Sequence, residues 1–148
     1  MKKIETPLDG AFIIEPQVFG DVRGWFYESY SKQKMHDIGI DVEFVQDNRS
    51  FSAQQGTLRG LHCQTSPMAQ TKLLTCLRGR IMDVAVDIRR GSPTYMQWTA
   101  VELSGENKKM FFIPKGFLHG FQGQGAGGFD PGAQGHHVGQ FHVAQLVG

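Results

Sequence analysis

The sequence predicts an all-β fold, a sandwich or barrel of many short strands, and three observations predict it. Apolar and aromatic residues recur in short runs separated by turn residues at even spacing. One run alternates cleanly: Met82, Val84, Val86 and Ile88 share one face, while Asp83, Ala85 and Asp87 share the other. Only one stretch carries a helix signal. At 148 residues the chain suits one domain with a real core, and 40% hydrophobic against 20% charged residues argues against general disorder.

Residues 11–15 form an apolar run that stops before Pro16, and Trp25 to Tyr30 is rich in the aromatic residues strands favour. Ser31 is placed to N-cap a helix over 32–38, and Gly39 stands where a left-handed C-cap residue belongs. Val42 to Asp47 reads as the next strand. Leu58 to His62 follows, and then a hairpin, with arms Leu73 to Leu77 and Arg80 to Ile88 around Arg78-Gly79. Gly91-Ser92-Pro93 punctuates, Trp98 to Leu103 resumes, Ser104 to Asn107 turns, and Lys109 to Ile113 forms another strand. From Gln122 to Gly148 the composition changes to Gly and Gln, with Asp130 the single carboxylate side chain and no Lys or Arg. The expected organisation is a β domain over 1–121, incomplete at its C-terminal end, and an atypical loop-like or disordered tail over 122–148. Within that tail Val143 to Val147 retains the capacity to pair as a strand.

A net charge of +1 gives no global footprint for nucleic acid or an anionic membrane, so a basic site must be local. No run approaches membrane-span length, and Met1-Lys2-Lys3 leads into Ile4-Glu5-Thr6-Pro7, not into the apolar stretch of a signal peptide. Cys63 and Cys76 have neither metal nor redox spacing and read as small apolar side chains in a reducing cytoplasm. His136, His137 and His142 lack acid or thiol partners and do not read as a metal site.

His62 and His119 are the first candidates for chemistry. By strand alternation Gly60, His62 and Gln64 share a face, like the wall of a cavity, and Arg59 points the other way unless a bulge re-aims it. A histidine near neutral pKa is a natural general base. Lys72 reads either as a solvated lysine at a strand start or as a cation for an oxyanion formed when His62 removes a proton beside a carbonyl. Arg23, with Phe26 and Glu28 nearby, reads either as surface charge or as a diphosphate and base-stacking platform. Gln46 and Asn48 offer amides for a sugar or base, or mark a strand-end turn. Pro114-x-Gly116-x-x-His119 resembles the second motif of cupin barrels. The first cupin motif needs two histidines and a glutamate, whereas Gly60 to Gln64 supplies one histidine, so no metal is expected.

Together, Asp21-Val22-Arg23-Gly24-Trp25-Phe26-Tyr27-Glu28, Phe44-Val45-Gln46-Asp47-Asn48 and Leu58-Arg59-Gly60-Leu61-His62 resemble the dTDP-4-dehydrorhamnose 3,5-epimerase family. The likeness continues through Asp83 to Arg89, Gly91-Ser92-Pro93-Thr94 and Ile113 to Phe121. It implies a cupin-like jelly roll and a homodimer that exchanges N-terminal strands. By the same resemblance His62 is the base, Lys72 stabilises the enolate and His119 contacts substrate. Arg23, Phe26, Glu28, Gln46, Asn48 and Arg59 hold the nucleotide sugar, with Arg23 and Glu28 serving the partner's site. In a 4-keto-6-deoxy sugar, carbons 3 and 5 flank the carbonyl, so each proton leaves through an enolate without redox cofactor or metal.

The chain departs from the family at one point. The family's opposing acid is a tyrosine after the His119 motif, and a later aspartate partners the base. No tyrosine follows Tyr95 here, and the expectation is a truncated or frame-shifted end on an otherwise ordinary member. Three rival readings remain: a non-enzymatic nucleotide-sugar-binding barrel, a ketoisomerase moving the keto group between carbons 3 and 4, and a metal-dependent cupin oxygenase.

Overall fold

Gly79, with φ of +78°, turns the chain between two strands that do not pair with each other. The expected hairpin is therefore a corner: β7 (Lys72–Arg78) lies in one sheet and β8 (Arg80–Asp87) in the sheet facing it. Local alternation finds both strands but carries no information on their partners, which come from distant segments.

The computed structural model describes residues 1–125 and 141–148. Its six-stranded sheet has the order β1 (Lys2–Glu5), β2 (Phe12–Glu15), β10 (Met110–Ile113), β7, β12 (Phe141–Val147) and β5 (Gln46–Ser52). The four-stranded sheet runs β6 (Leu58–His62), β11 (Phe117–Gly125), β8 and β9 (Trp98–Ser104). A separate two-stranded hairpin joins β3 (Val18–Asp21) to β4 (Gly24–Tyr27). The all-β expectation holds.

Leu74, Cys76, Phe111 and Ile113 from the larger sheet meet Ile81, Ala85, Val101, Leu103, Phe117 and Phe121 from the smaller. Each large apolar side chain fully buried there contributes roughly 1.5–3 kcal/mol. A second cluster covers the outer face of the larger sheet, where Phe12, Ile14, Leu73, Met110 and Phe112 pack against Met35 and Ile40. Met35 belongs to α1 (Lys32–Asp37), which is capped as expected: Lys34 N donates to Ser31 Oγ at 3.4 Å. At its other end Gly39 takes φ of +93° while Ile40 N donates to Met35 O.

Two segments differ from expectation. Residues 42–45 are not a strand; Val42 and Phe44 pack against the helix cluster as a strap, Val45 N donates to Val147 O at 2.8 Å, and the strand begins at Gln46. The polar β5 that follows has little strand signal of its own and forms by pairing with β12. That pairing also revises the tail. β11 runs past Phe121 to Gly125 in the smaller sheet, and β12 lies between β7 and β5 in the larger, so both sheets draw residues from beyond the expected boundary. Residues 126–140, with Asp130, His136 and His137, lie outside the described residues.

The alternation in β8 is also informative. Asp83, Ala85 and Asp87 are the buried set, and Met82, Val84 and Val86 are half-exposed on the outside. Asp87 is buried because Arg89 grips it with two donors, Nε at 2.9 Å and Nη2 at 2.8 Å, while the Ser92 and Thr94 hydroxyls donate to it at 2.5 and 2.7 Å. Arg89 also donates to Asp9 O at 2.6 Å, which ties the loop before β2 to the loop after β8.

Candidate active site

The site begins with a miscount between two strands. Along β6 and β11, His62 pairs with His119 and Arg59 pairs with Phe121, so three steps on one strand match two on the other. This is a β-bulge, and it re-aims side chains. Arg59 and His62, whose odd spacing places them on opposite faces of a regular strand, both share the inward face of Phe121 and His119. Gly60 makes the bulge possible. Its φ is +108°, and a Cβ there would lie 2.6 Å from the His119 carbonyl oxygen and 2.7 Å from Gly120 Cα.

The two imidazoles meet edge to face, with ring centroids 5.8 Å apart at 87°. They differ in access. His62 is exposed at the mouth, whereas His119 is 1% exposed and donates from Nε2 to Asp83 Oδ2 at 3.0 Å. Asp83 is itself fully buried. Its Oδ1 and the Nδ1 of His119 have no hydrogen-bond partner among the described residues.

Lys72 starts β7 on the opposite sheet, where alternation turns it inward with Leu74 and Cys76. It is only 5% exposed, so the solvated reading is excluded. Burial pushes its pKa down, while the fields of Asp83 and Cys63 push it back up. Partial burial lowers the His62 pKa, and Lys72 and His119 lower it further, so His62 is a neutral base over more of the acid range.

Arg59 donates from Nε to Ser52 Oγ at 3.2 Å and from Nη2 to the Phe51 carbonyl at 3.3 Å, which docks it on the end of β5. Gln46 and Asn48 share the face of the buried Ser52 by alternation, and Gln46 Nε2 donates to Asn48 Oδ1 at 2.8 Å. The structure therefore brings His62, His119 and Lys72 together and sets Arg59, Gln46 and Asn48 along one rim.

Arg23, Phe26 and Glu28 are elsewhere. Arg23 Nε donates to Asp21 Oδ2 at 3.1 Å, Phe26 is exposed, and Glu28 pairs with Lys34 at 2.9 Å. Phe19, Asp21, Arg23, Trp25 and Phe26 surround a cavity of about 460 Å³ in the crook of the hairpin. No hydrogen bond or ion pair joins these residues to His62 or Lys72 among the described residues.

Asp83 is the residue that sequence reasoning missed. The signal was present, two aspartates alternating with an alanine, but alternation separates two faces without saying which one turns inward. Among the described residues no group of three or more His, Cys, Asp or Glu is arranged to hold a metal ion.

The fold and this cluster define a cupin-like β-barrel that gathers two histidines, a buried lysine and a buried aspartate at one site. A family model described as dTDP-4-dehydrorhamnose 3,5-epimerase matches residues 5–126, and the chain belongs to that family. It is 52% identical over 122 residues to the dTDP-4-dehydrorhamnose 3,5-epimerase of Shigella flexneri, covering 82% of this chain and 67% of the relative. Against the one from Methanothermobacter thermautotrophicus it is 53% identical over 118 residues, 80% of this chain and 63% of the relative. The chain thus matches about two thirds of the length of these curated relatives. Among solved structures, the epimerase of Bacillus anthracis with TDP and PPi bound superposes with a TM-score of 0.87 at 44% identity, covering 99% of this chain and 76% of that one. The Legionella pneumophila dTDP-6-deoxy-D-glucose-3,5-epimerase in complex with dTDP-4-keto-L-rhamnose gives a TM-score of 0.84 at 46% identity, covering 99% of this chain and 70% of that one.

Proposed function

We propose that this chain acts on a dTDP-4-keto-6-deoxy sugar as a 3,5-epimerase, turning dTDP-4-dehydro-6-deoxy-D-glucose into dTDP-4-dehydro-L-rhamnose. The observation that carries the reading is the exposed His62 beside the buried Lys72, close enough that the lysine lowers the histidine pKa. His62 takes the proton from the carbon beside the ketone, and the electron pair moves onto the ketone oxygen. Lys72 stabilises that oxyanion, and His119 contacts the sugar. Arg59, Gln46 and Asn48 hold the nucleotide sugar along the rim. Arg23, Phe26 and Glu28 serve a partner's site across a homodimer with exchanged N-terminal strands. The exposed Phe19 and Phe26 on the hairpin support that assembly. A cytoplasmic location belongs to the same reading, since both cysteines are free and no helix among the described residues is long and apolar enough to cross a membrane.

A second reading, a nucleotide-sugar-binding barrel with impaired turnover, is favoured by one observation: residues 96–148 contain no tyrosine to reprotonate from the opposite face. One experiment separates the two. The chain is incubated with the keto sugar in deuterated water and followed by proton NMR. Loss of the C3 and C5 proton signals with appearance of the L-configured product supports epimerisation. Exchange without inversion shows His62 working alone, and saturable binding without exchange leaves only the binding barrel.

A further inference from the structure

We propose that Asp83 is a positioning residue that keeps Lys72 a cation inside the barrel, so that an incoming oxyanion meets a charge already in place. The purpose of that charge rests on the proton-transfer reading above, but the charge itself can be read without turnover.

A buried amine with no counter-charge sheds its proton instead of paying for desolvation. Lys72 is 5% exposed, and its Nζ makes no hydrogen bond or ion pair among the described residues. Its neighbours in its own sheet, Ile113 on β10 and Val147 on β12, are apolar. The titratable groups coupled to it come from the facing sheet: Asp83 on β8, and His62 with Cys63 at the end of β6, while His119 on β11 engages Asp83. Asp83 is the one carboxylate among them.

Asp83 is also placed to have capacity to spare. Its cross-strand partners, Phe121 and Val101, offer no side-chain donor, and His119 engages only Oδ2. Oδ1 is buried and unpartnered among the described residues. The shifts agree with this arrangement. Burial raises the Asp83 pKa, and His119 and Lys72 pull it down; burial lowers Lys72, and Asp83 pulls it up. The His119 contact holds the carboxylate in place, and the remaining field falls on Lys72.

The test is a titration of Lys72 by ¹³Cε-lysine NMR on the whole chain, with its signal assigned by Lys72→Arg. In Asp83→Asn the Lys72 titration should fall by at least about one pH unit, as expected on losing a nearby opposite charge. In His119→Gln, which keeps a donor facing Asp83, it should stay at the wild-type position or rise. Simple loosening of the core would admit water and raise Lys72 in both variants, so direction separates the two explanations. An unchanged or raised Lys72 in Asp83→Asn, or an equal fall in His119→Gln, overturns the proposal. If Asp83→Asn does not fold, the wild type decides alone. Its Asp83 ¹³Cγ signal must inflect at the Lys72 midpoint, and a flat signal there overturns the proposal too. No outcome depends on epimerisation, so failure here and failure of the proposed reaction are told apart.

Discussion

His62 and His119 are direct cross-strand partners, yet one is exposed at the mouth of the barrel and the other is buried against Asp83. One sheet thus presents two imidazoles in different environments, 5.8 Å apart. Access separates them: of the two, only His62 is open to proton exchange with solvent.

The pH dependence of exchange should follow His62. Its pKa lies below the ordinary histidine value, so the neutral base persists, and the rate holds, further into the acid range. Replacing Lys72 by Gln removes a repelling cation and should move that acid limb back up. His62→Ala should lower exchange by about 10²–10⁴-fold. Deuterium incorporation measured against pH checks all three.

Gly60→Ala should damage both stability and activity. The added Cβ meets the backbone of His119 and Gly120 in a conformation that L side chains rarely adopt. The expected cost is roughly 1–3 kcal/mol from the backbone alone. Since the bulge sets both Arg59 and His62, substrate affinity and exchange rate should fall together, as titration calorimetry and NMR exchange would show.

Asp87 should make stability acid-sensitive. Its Arg89, Ser92 and Thr94 contacts hold its pKa well below the usual carboxylate range. A carboxylate with a lowered folded pKa contributes fully above its unfolded value, about 3.9, and loses that contribution as pH falls toward the folded one. Asp87→Asn should therefore cost about 3 kcal/mol at neutral pH. Urea denaturation should show the gap between variant and wild type narrowing below about pH 4.

Lys108 should tether the hairpin. Its Nζ lies 4.1 Å from the Trp25 ring centroid and also donates to the Gly105 carbonyl at 2.9 Å. Lys108→Met should release Trp25, shift its fluorescence toward that of a solvated indole, and remove about 0.5–1 kcal/mol from the cation–π contact. An unchanged Trp25 spectrum would show that the tether is not populated in solution.

The two cysteines should separate under a thiol reagent. Cys76 is 2% exposed, and burial pushes its pKa up to about 11, whereas Cys63 is partly exposed beside the mouth of the site. Ellman titration of the folded chain should find one reactive thiol, and denaturation should reveal the second. Reaction of both at equal rates would contradict the packing described.

Local patterns were legible where one residue's chemistry decides the outcome. Ser31 and Gly39 bound the helix because capping is settled within a single turn. Gln46 and Asn48 were found as a pair of amides, although their strand was expected over 42–47 and lies at Gln46–Ser52, because β5 owes its form to β12 across a long separation in sequence. The hairpin at Gly79 was misread for the same reason: alternation identifies strands but not their partners.

The sequence by itself determined the all-β class, the helix and its caps, and the family likeness that names His62, Lys72 and His119. Those are properties of neighbouring residues and of ordered motifs. Tertiary structure alone decided that Arg59 faces the same way as His62, that Asp83 and not Val84 is buried, and that Lys72 lies against the opposite sheet. The physical reason is common to all three. A bulge, an inward face and a sheet-to-sheet contact each arise where distant strands meet, and pairing register transmits that meeting to every side chain along the strand.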